Sequence, residues 1–161
     1  MAGGRNSAIA TSGSGPGRRA RGPIESEGER RRSRLRVLLA EDDDDMRRHL
    51  ASALRAEGFE VRPVRSGVEL LKSFGALLLR GRLATSVDLV ISDLRMPGIT
   101  GLKVLDWLRR ANWRVPFILI TSFGDESVHA EARRLGATSL DKPFDVRELI
   151  AQARSVAARG Q

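Results

Sequence analysis

The chain has 161 residues with 28 basic and 20 acidic side chains, and it contains no Cys, which excludes disulfide bonds and thiolate metal sites. No apolar run approaches the roughly 18 residues of a membrane span, and no segment indicates a secretory signal, so we expect a cytoplasmic protein. The formal net charge of +8 is uneven, because residues 1–34 hold eight Arg and three Glu. The charge is therefore weak evidence that the folded part binds nucleic acid.

Residues 1–33 are dominated by Gly, Ser, Pro and Arg and show no apolar periodicity, so we predict a disordered basic tail. The alternatives are a transit peptide, which the Gly and Pro content disfavours, and a start codon assigned too far upstream. The runs "RRARG" and "RRRSR" leave contact with a phosphate backbone as a further alternative.

From Leu35 onward, short apolar runs alternate with segments of helical periodicity, which predicts five strand-then-helix units. The predicted strands are residues 36–40, 59–64, 88–92, 115–121 and 138–141. The residues predicted to face inward from the helices are, in chain order, Met46, Leu50, Ala53 and Leu54; Val68, Leu71, Phe74, Leu77 and Leu78; Leu102, Leu105 and Leu108; Val128, Ala132 and Leu135; and Val146, Leu149, Ile150, Ala153 and Val156.

Glycine and proline mark the boundaries of these elements. Gly58, Gly81 and Gly136 are predicted to end the first, second and fourth helices, and Pro63 indicates that the second strand lies at an edge of the sheet. Five alternating units predict an α/β fold, with a parallel sheet covered on both faces through right-handed crossovers. Ligands of such sheets bind beyond the carboxyl ends of the strands.

Polar residues stand at those carboxyl ends. Glu41 and Asp42 follow the first strand, Asp93 follows the third, Thr121 ends the fourth and Lys142 follows the fifth. Three carboxylates brought together must become protonated, separate or share a cation. Carboxylate oxygens without neighbouring His or Cys suit a hard ion, and Mg²⁺ fits best because it keeps waters that phosphate oxygens can replace.

Each of these residues also has a structural interpretation. Asp43, Asp44 and Asp45 are typical of a helix N-terminus, and we expect that role for them. Asp93 alone could form a turn, and Thr121 alone could be an ordinary strand residue. Lys142 is one of only three Lys among 28 basic residues, so its position favours a requirement for a compact ammonium.

Taken together, the stretches "VLLAEDDDDMRRHL", "DLVISDLRMPGITGLKVL", "PFILITSFGD" and "GATSLDKPFDVREL" resemble the receiver domain of two-component response regulators, in its single-domain, chemotaxis-regulator-like form. The resemblance implies a domain over residues 34–158 with a flavodoxin-like (βα)5 fold, a three-layer sandwich whose parallel strands have the order 2-1-3-4-5.

The resemblance also implies roles for individual residues. Asp93 corresponds to the phosphoacceptor, and Mg²⁺ is implied to bind Glu41, Asp42, Asp93 and the backbone carbonyl of Arg95. Thr121 corresponds to the hydroxyl that contacts the phosphoryl group, and Lys142 to the ammonium that pairs with it. The Lys142–Pro143 peptide bond is expected to be cis.

One position departs from the family pattern. Ser139 stands where an aromatic residue or His usually moves together with the conserved hydroxyl, here Thr121, and the chain contains no Tyr. We hypothesise that Ser139 leaves a gap into which Thr121 moves. His49 and His129 are predicted to be surface or helix-face residues, and Trp107 and Trp113 to be packing residues.

The resemblance implies a phosphorylation-dependent receiver that accepts a phosphoryl group from a phosphohistidine and catalyses only its own phosphorylation and dephosphorylation. The implied partners are a sensor histidine kinase or histidine phosphotransfer protein, and a downstream protein that contacts the fourth helix, fifth strand and fifth helix. We expect no output domain after the last helix. A DNA-binding regulator that uses the basic tail and a receiver-like binding module that is not phosphorylated remain the alternatives; an FMN carrier is disfavoured by the acids after the first strand.

Overall fold

The computed structural model describes residues 34–79, 87–122 and 126–159. The predicted tail, residues 1–33, the segment "GRLATS" at 81–86 and the helix stop at Gly81 lie outside the described residues. Five parallel strands form one sheet in the order β2-β1-β3-β4-β5, which confirms the predicted flavodoxin-like α/β fold.

Strands and helices alternate along the chain as predicted. The strands are β1 (Arg36–Ala40), β2 (Glu60–Val64), β3 (Leu89–Asp93), β4 (Phe117–Thr121) and β5 (Thr138–Asp141). The helices are α1 (Asp44–Ala56), α2 (Gly67–Leu79), α3 (Gly101–Arg110), α4 (Glu126–Arg134) and α5 (Val146–Arg159). Strand β2, which contains Pro63, lies at an edge of the sheet, where a missing N–H does not interrupt a central ladder.

The two faces of the sheet have separate cores, each closed by a different set of helices. Helices α2, α3 and α4 cover one face with Leu70, Phe74, Val104, Leu105, Leu108 and Ala132. Helices α1 and α5 cover the other face with Leu50, Ala51, Leu54, Leu149, Ala153 and Val156. Strands β3 and β4 are buried along their whole length, as central strands covered on both faces must be.

Two predictions about packing were wrong. Val68 is 38% exposed, whereas Leu70 is fully buried, because α2 begins at Gly67 and turns a different stripe of its surface toward the sheet. Trp107 is 49% exposed on α3. Trp113 does pack, with its ring 5.6 Å from that of Phe74.

An ion pair joins the amino ends of β1 and β3. The Arg36 guanidinium donates to both oxygens of Asp88, at 2.9 and 2.8 Å, and the backbone N–H of Arg36 donates to Asp88 Oδ2 at 2.7 Å. Burial raises the pKa of Asp88, but these hydrogen bonds outweigh burial and hold it below its ordinary value. The pair therefore fixes the two strands together at the end opposite the predicted site.

The helices found in residues 34–79, 87–122 and 126–159 are all too short or too polar to cross a bilayer.

Candidate functional site

The five acidic residues after β1 have two different roles, since some begin helix α1 and the others lie at the end of the strand. Asp43 is the N-cap of α1, since its side chain accepts a hydrogen bond from the Met46 N–H at 2.7 Å. Asp44 and Asp45 lie in the first turn, where carboxylates complement the helix dipole. The structural role predicted for these three residues is therefore confirmed, and the two preceding acids, Glu41 and Asp42, remain at the strand end.

Glu41, Asp93 and Lys142 meet at the carboxyl ends of β1, β3 and β5. The Lys142 Nζ atom lies 2.9 Å from Glu41 Oε2 and 2.9 Å from Asp93 Oδ1. Glu41 is 2% exposed and Asp93 4% exposed, so one ammonium compensates two carboxylates removed from water. The Lys142–Pro143 peptide bond is cis, as the resemblance implied.

The buried charges shift each other's protonation. Burial raises the pKa of Glu41, and the negative charge of Asp93 raises it further, against the opposing effect of Lys142. Burial lowers the pKa of Lys142, but the close contacts of its ammonium with the carboxylates of Glu41 and Asp93 outweigh burial and raise the pKa. The cluster therefore keeps the Lys142 ammonium charged. That single positive charge does not fully compensate the two negative charges of Glu41 and Asp93.

Two buried oxygens at the carboxyl ends of β3 and β4 form no hydrogen bond with any of the described residues. These atoms are Asp93 Oδ1 and Thr121 Oγ1, and Thr121 is only 1% exposed. The contact of Asp93 Oδ1 with Lys142 is thus an ion pair without an aligned hydrogen bond, while Asp93 Oδ2 accepts from the Arg95 N–H at 2.8 Å. Unsatisfied buried oxygens are costly, and a ligand with its own polar groups would satisfy them.

The donor set in the cleft suits a magnesium ion. Glu41, Asp42 and Asp93 each offer a carboxylate oxygen, and these oxygens lie within 4.8 Å of one another. Asp42 is exposed, so the group opens to solvent, as an ion that retains waters requires. The residues present therefore fit Mg²⁺ by chemistry and separation.

Two features of the cleft were not evident in the sequence. A Cβ atom at Gly101 would lie 2.4 Å from the Asp93 carbonyl oxygen and 2.7 Å from Ser92 Oγ, so only glycine lets α3 begin against the end of β3. The guanidinium of Arg47, on α1, is buried against the backbone carbonyls of the acidic run. An Arg in a polar helix carries no sequence signal of such a contact.

The hypothesis of an open gap at Ser139 was wrong. The imidazole of His129, on α4, lies against this residue, with Nδ1 2.7 Å from Ser139 Oγ and Nε2 3.3 Å from Asp141 Oδ1. His129 is therefore not a free surface residue, because only 16% of its side chain is exposed and it joins α4 to β5. His49 is exposed on α1, as predicted.

Comparisons with known sequences agree with this geometry. The family model described as response regulator receiver domain matches residues 37–154. Over 125 residues the chain is 37% identical to the sensory transduction protein RegX3 of Mycobacterium tuberculosis, covering 77% of this chain and 51% of that protein. It is 36% identical over 126 residues to the transcriptional regulatory protein FixJ of Azorhizobium caulinodans, covering 78% of this chain and 56% of that protein.

The regulatory protein AtoC of Escherichia coli K12 is 35% identical over 115 residues, 71% of this chain and 23% of that protein. The chain thus spans about half or less of the length of these relatives.

Solved structures give the same result. The receiver domain of the Francisella response regulator 1452 superimposes with a TM-score of 0.67 at 25% identity, covering 79% of this chain and 99% of that one. A response regulator receiver domain from Clostridium thermocellum superimposes with a TM-score of 0.69 at 25% identity, covering 78% of this chain and 95% of that one. The chain therefore belongs to the receiver domain family of two-component response regulators.

Proposed function

We propose that residues 34–158 form a receiver that accepts a phosphoryl group from a phosphohistidine onto Asp93, with Mg²⁺ as cofactor. The observation that carries this proposal is the meeting of Asp93 with Glu41 and Lys142 at the carboxyl end of the sheet, where the neighbouring strand β4 ends in the buried Thr121. Phosphoryl transfer requires few covalent groups from the protein, but it requires several positive or hydrogen-bonding groups around three oxygens.

In the proposed step, a carboxylate oxygen of Asp93 attacks the phosphorus in line with the departing imidazole nitrogen. The P–O bond forms, the P–N bond breaks, and the electron pair remains on the imidazole. Lys142 pairs with one phosphoryl oxygen and the Thr121 hydroxyl donates to another. Mg²⁺, held by Glu41, Asp42, Asp93 and the Arg95 carbonyl, would supply further positive charge at the phosphoryl group.

The same residues also support dephosphorylation of Asp93. A water oxygen attacks the phosphorus in the same pocket, the P–O bond to Asp93 breaks with its electron pair left on the carboxylate, and inorganic phosphate leaves. The chain is thus proposed to catalyse only its own phosphorylation and dephosphorylation, in the manner of a signalling domain.

A cavity beside the site offers a place for the phosphodonor. It has a volume of about 440 Å³ and opens between α1 and the start of α5. Its lining is largely apolar, with Lys142 at one side, and comprises Met46, His49, Leu50, Ser122, Lys142, Pro143, Phe144 and Val146. We place the contact with a cytoplasmic sensor histidine kinase or histidine phosphotransfer protein here, because a donor seated in this cavity has its histidine beside Lys142 and Asp93.

The output is proposed to leave through α4, β5 and α5. Thr121 lies opposite Asp141 in the ladder of β4 and β5, and Asp141 contacts His129 of α4. A phosphoryl group on Asp93 that draws Thr121 inward would therefore act first on this edge of the sheet. A downstream protein that contacts α4, β5 and α5 would sense that change.

The proposed function is tested with a small phosphodonor. The full chain is incubated with Mg²⁺ and acetyl phosphate, and intact mass is measured at short times. We expect the gain of one phosphoryl group in the unmodified chain and in Asp141→Asn, a control carboxylate at the end of β5, but not in Asp93→Asn. The absence of any gain in the unmodified chain would leave only a receiver-shaped binding module.

A further inference from the structure

Arg47 stands apart from the other described arginines of α1 because its guanidinium is buried behind the acidic run. Its side chain is 9% exposed, whereas the side chain of its neighbour Arg48 is 73% exposed. Burying an arginine is unfavourable unless its donors find partners, so the contacts of this side chain indicate what it holds.

Those contacts are all with the segment that carries the candidate metal ligands. Arg47 Nη1 donates to the carbonyl oxygen of Glu41 at 2.9 Å and to that of Asp42 at 3.3 Å. Arg47 Nη2 donates to the carboxylate of Asp44. One planar group thus bonds to three of the four consecutive residues from Glu41 to Asp44.

We propose that Arg47 is a positioning residue that fixes the backbone of Glu41 and Asp42 and so sets the affinity of the cleft for Mg²⁺. The proposal rests on the proposed function, because it assumes that these carboxylates bind the ion. Glu41 is itself buried and bonded to Lys142, but Asp42 is exposed, and its placement depends on the backbone that Arg47 holds.

Geometry and charge predict opposite effects of removing Arg47. Loss of a positive charge near three carboxylates would strengthen their attraction for a divalent cation. Loss of the guanidinium fork would release the two carbonyls and let Asp42 leave its position, which weakens binding. The sign of the change in affinity therefore distinguishes a positioning residue from a mere counter-charge.

The matched control lies one residue further along the helix. Arg48 pairs with Asp45 at the same i, i+3 spacing, but both side chains are exposed and neither contacts the backbone of the cleft. Arg48→Met removes the same charge from the same turn of α1 and leaves the segment from Glu41 to Asp44 fully bonded.

The experiment measures Mg²⁺ binding by titration calorimetry in the full chain and in Arg47→Met, Arg47→Lys and Arg48→Met, with circular dichroism to confirm folding. Amide hydrogen exchange of residues 42–45 is measured in the metal-free proteins. We expect Arg47→Met to raise the Kd about tenfold and Arg47→Lys, which keeps the charge without the fork, to raise it about threefold. Both should accelerate exchange of residues 42–45, whereas Arg48→Met should change neither quantity by more than about twofold.

Unchanged or tighter Mg²⁺ binding in Arg47→Met and Arg47→Lys would overturn the positioning role. So would a loss in Arg48→Met equal to that in Arg47→Met, because it would show a general effect of charge. If the unmodified chain itself takes up no Mg²⁺, the proposed metal-dependent function fails instead. Should Arg47→Met not fold, Arg47→Lys and its exchange rates still decide the question.

Discussion

Strands β1 and β3 carry ionic groups at both ends, and the two ends differ in how their charges are balanced. At the amino ends, one Arg36 meets one Asp88, and three hydrogen bonds lower the pKa of the carboxyl. At the carboxyl ends, one Lys142 meets two buried carboxylates, and the pKa of Glu41 is raised. Every carboxylate oxygen of the first cluster is hydrogen-bonded, whereas Asp93 Oδ1 in the second forms no hydrogen bond with any of the described residues.

This difference separates structural from functional charge. A complete pair holds two strands in register and gains nothing from a ligand. Under the proposed function, a phosphoryl group and a cation would complete the second cluster. The proposed function therefore assigns stability to one end of these strands and chemistry to the other, and the predictions below test that separation.

The largest expected effect is on phosphoryl uptake by Lys142→Met. Loss of one cationic group from the reacting oxygens should slow the gain of mass from acetyl phosphate about a hundredfold or more. Arg36→Met should leave that rate within about threefold of the unmodified chain, but should lower the free energy of unfolding by about 1–2 kcal/mol, because Asp88 loses both guanidinium donors and keeps only the backbone N–H of residue 36. Equal loss of uptake in both variants would contradict the separation of the two ends.

Magnesium should stabilise only through the carboxyl end. At ten times the Kd, bound Mg²⁺ should raise the free energy of unfolding by about 1.4 kcal/mol, and chelation should reverse the gain. Asp42→Asn, which changes an exposed candidate ligand, should abolish most of this increment as measured by urea unfolding with and without the ion. Asp88→Asn should start from a lower stability and keep the whole increment; its loss there would show that the ion acts elsewhere.

The two ends should also respond to acid with opposite signs. The folded pKa of Asp88 is lowered, so its contribution is present above the unfolded value near 3.8 and is lost as pH falls through the folded pKa. The difference in free energy of unfolding between the unmodified chain and Arg36→Met, expected to be about 1–2 kcal/mol, should thus be constant above about pH 5 and shrink below it.

Glu41 should change the free energy of unfolding with pH in the opposite direction, because its folded pKa is raised above the ordinary 4.5. Without metal, its ionisation should lower stability as pH rises through that interval, and Glu41→Gln should remove this slope. The free energy of unfolding is measured by urea unfolding at each pH. If the contributions of Asp88 and Glu41 changed with pH in the same direction, the assignment would be refuted.

The sequence was sufficient to predict the carboxyl end but not the amino end. Glu41, Asp93 and Lys142 each follow or end an apolar run, and parallel strands bring such positions to one edge, so the sequence predicted their meeting. Arg36 and Asp88 lie 52 residues apart and look like ordinary charges at strand boundaries. Their pairing depends on register, which no local pattern encodes.

The same limit applies to the contacts made by helices. Arg47 and His129 occupy positions on α1 and α4 that periodicity marks only as polar or half-exposed. Whether such a side chain reaches the sheet depends on the rotation of the helix about its axis and on the length of the preceding loop. Val68 is an example: it was predicted to face inward, but the rotation of α2 about its axis leaves Val68 exposed and buries Leu70 instead.

The smallest expected effect concerns the edge between α4 and β5. Ser139→Ala removes the partner of His129 Nδ1 and should lower the free energy of unfolding by about 0.5–1 kcal/mol, because His129 keeps its contact with Asp141. Phosphoryl uptake should be unchanged, since none of the groups that face Asp93 is altered. The phosphorylation-induced change in hydrogen exchange of α4 should however decrease, because His129 is then joined to β5 by one polar contact instead of two. An α4 response of unchanged size, measured at equal phosphoryl occupancy, would show that His129 and Ser139 only pack and that another contact transmits the state of Thr121.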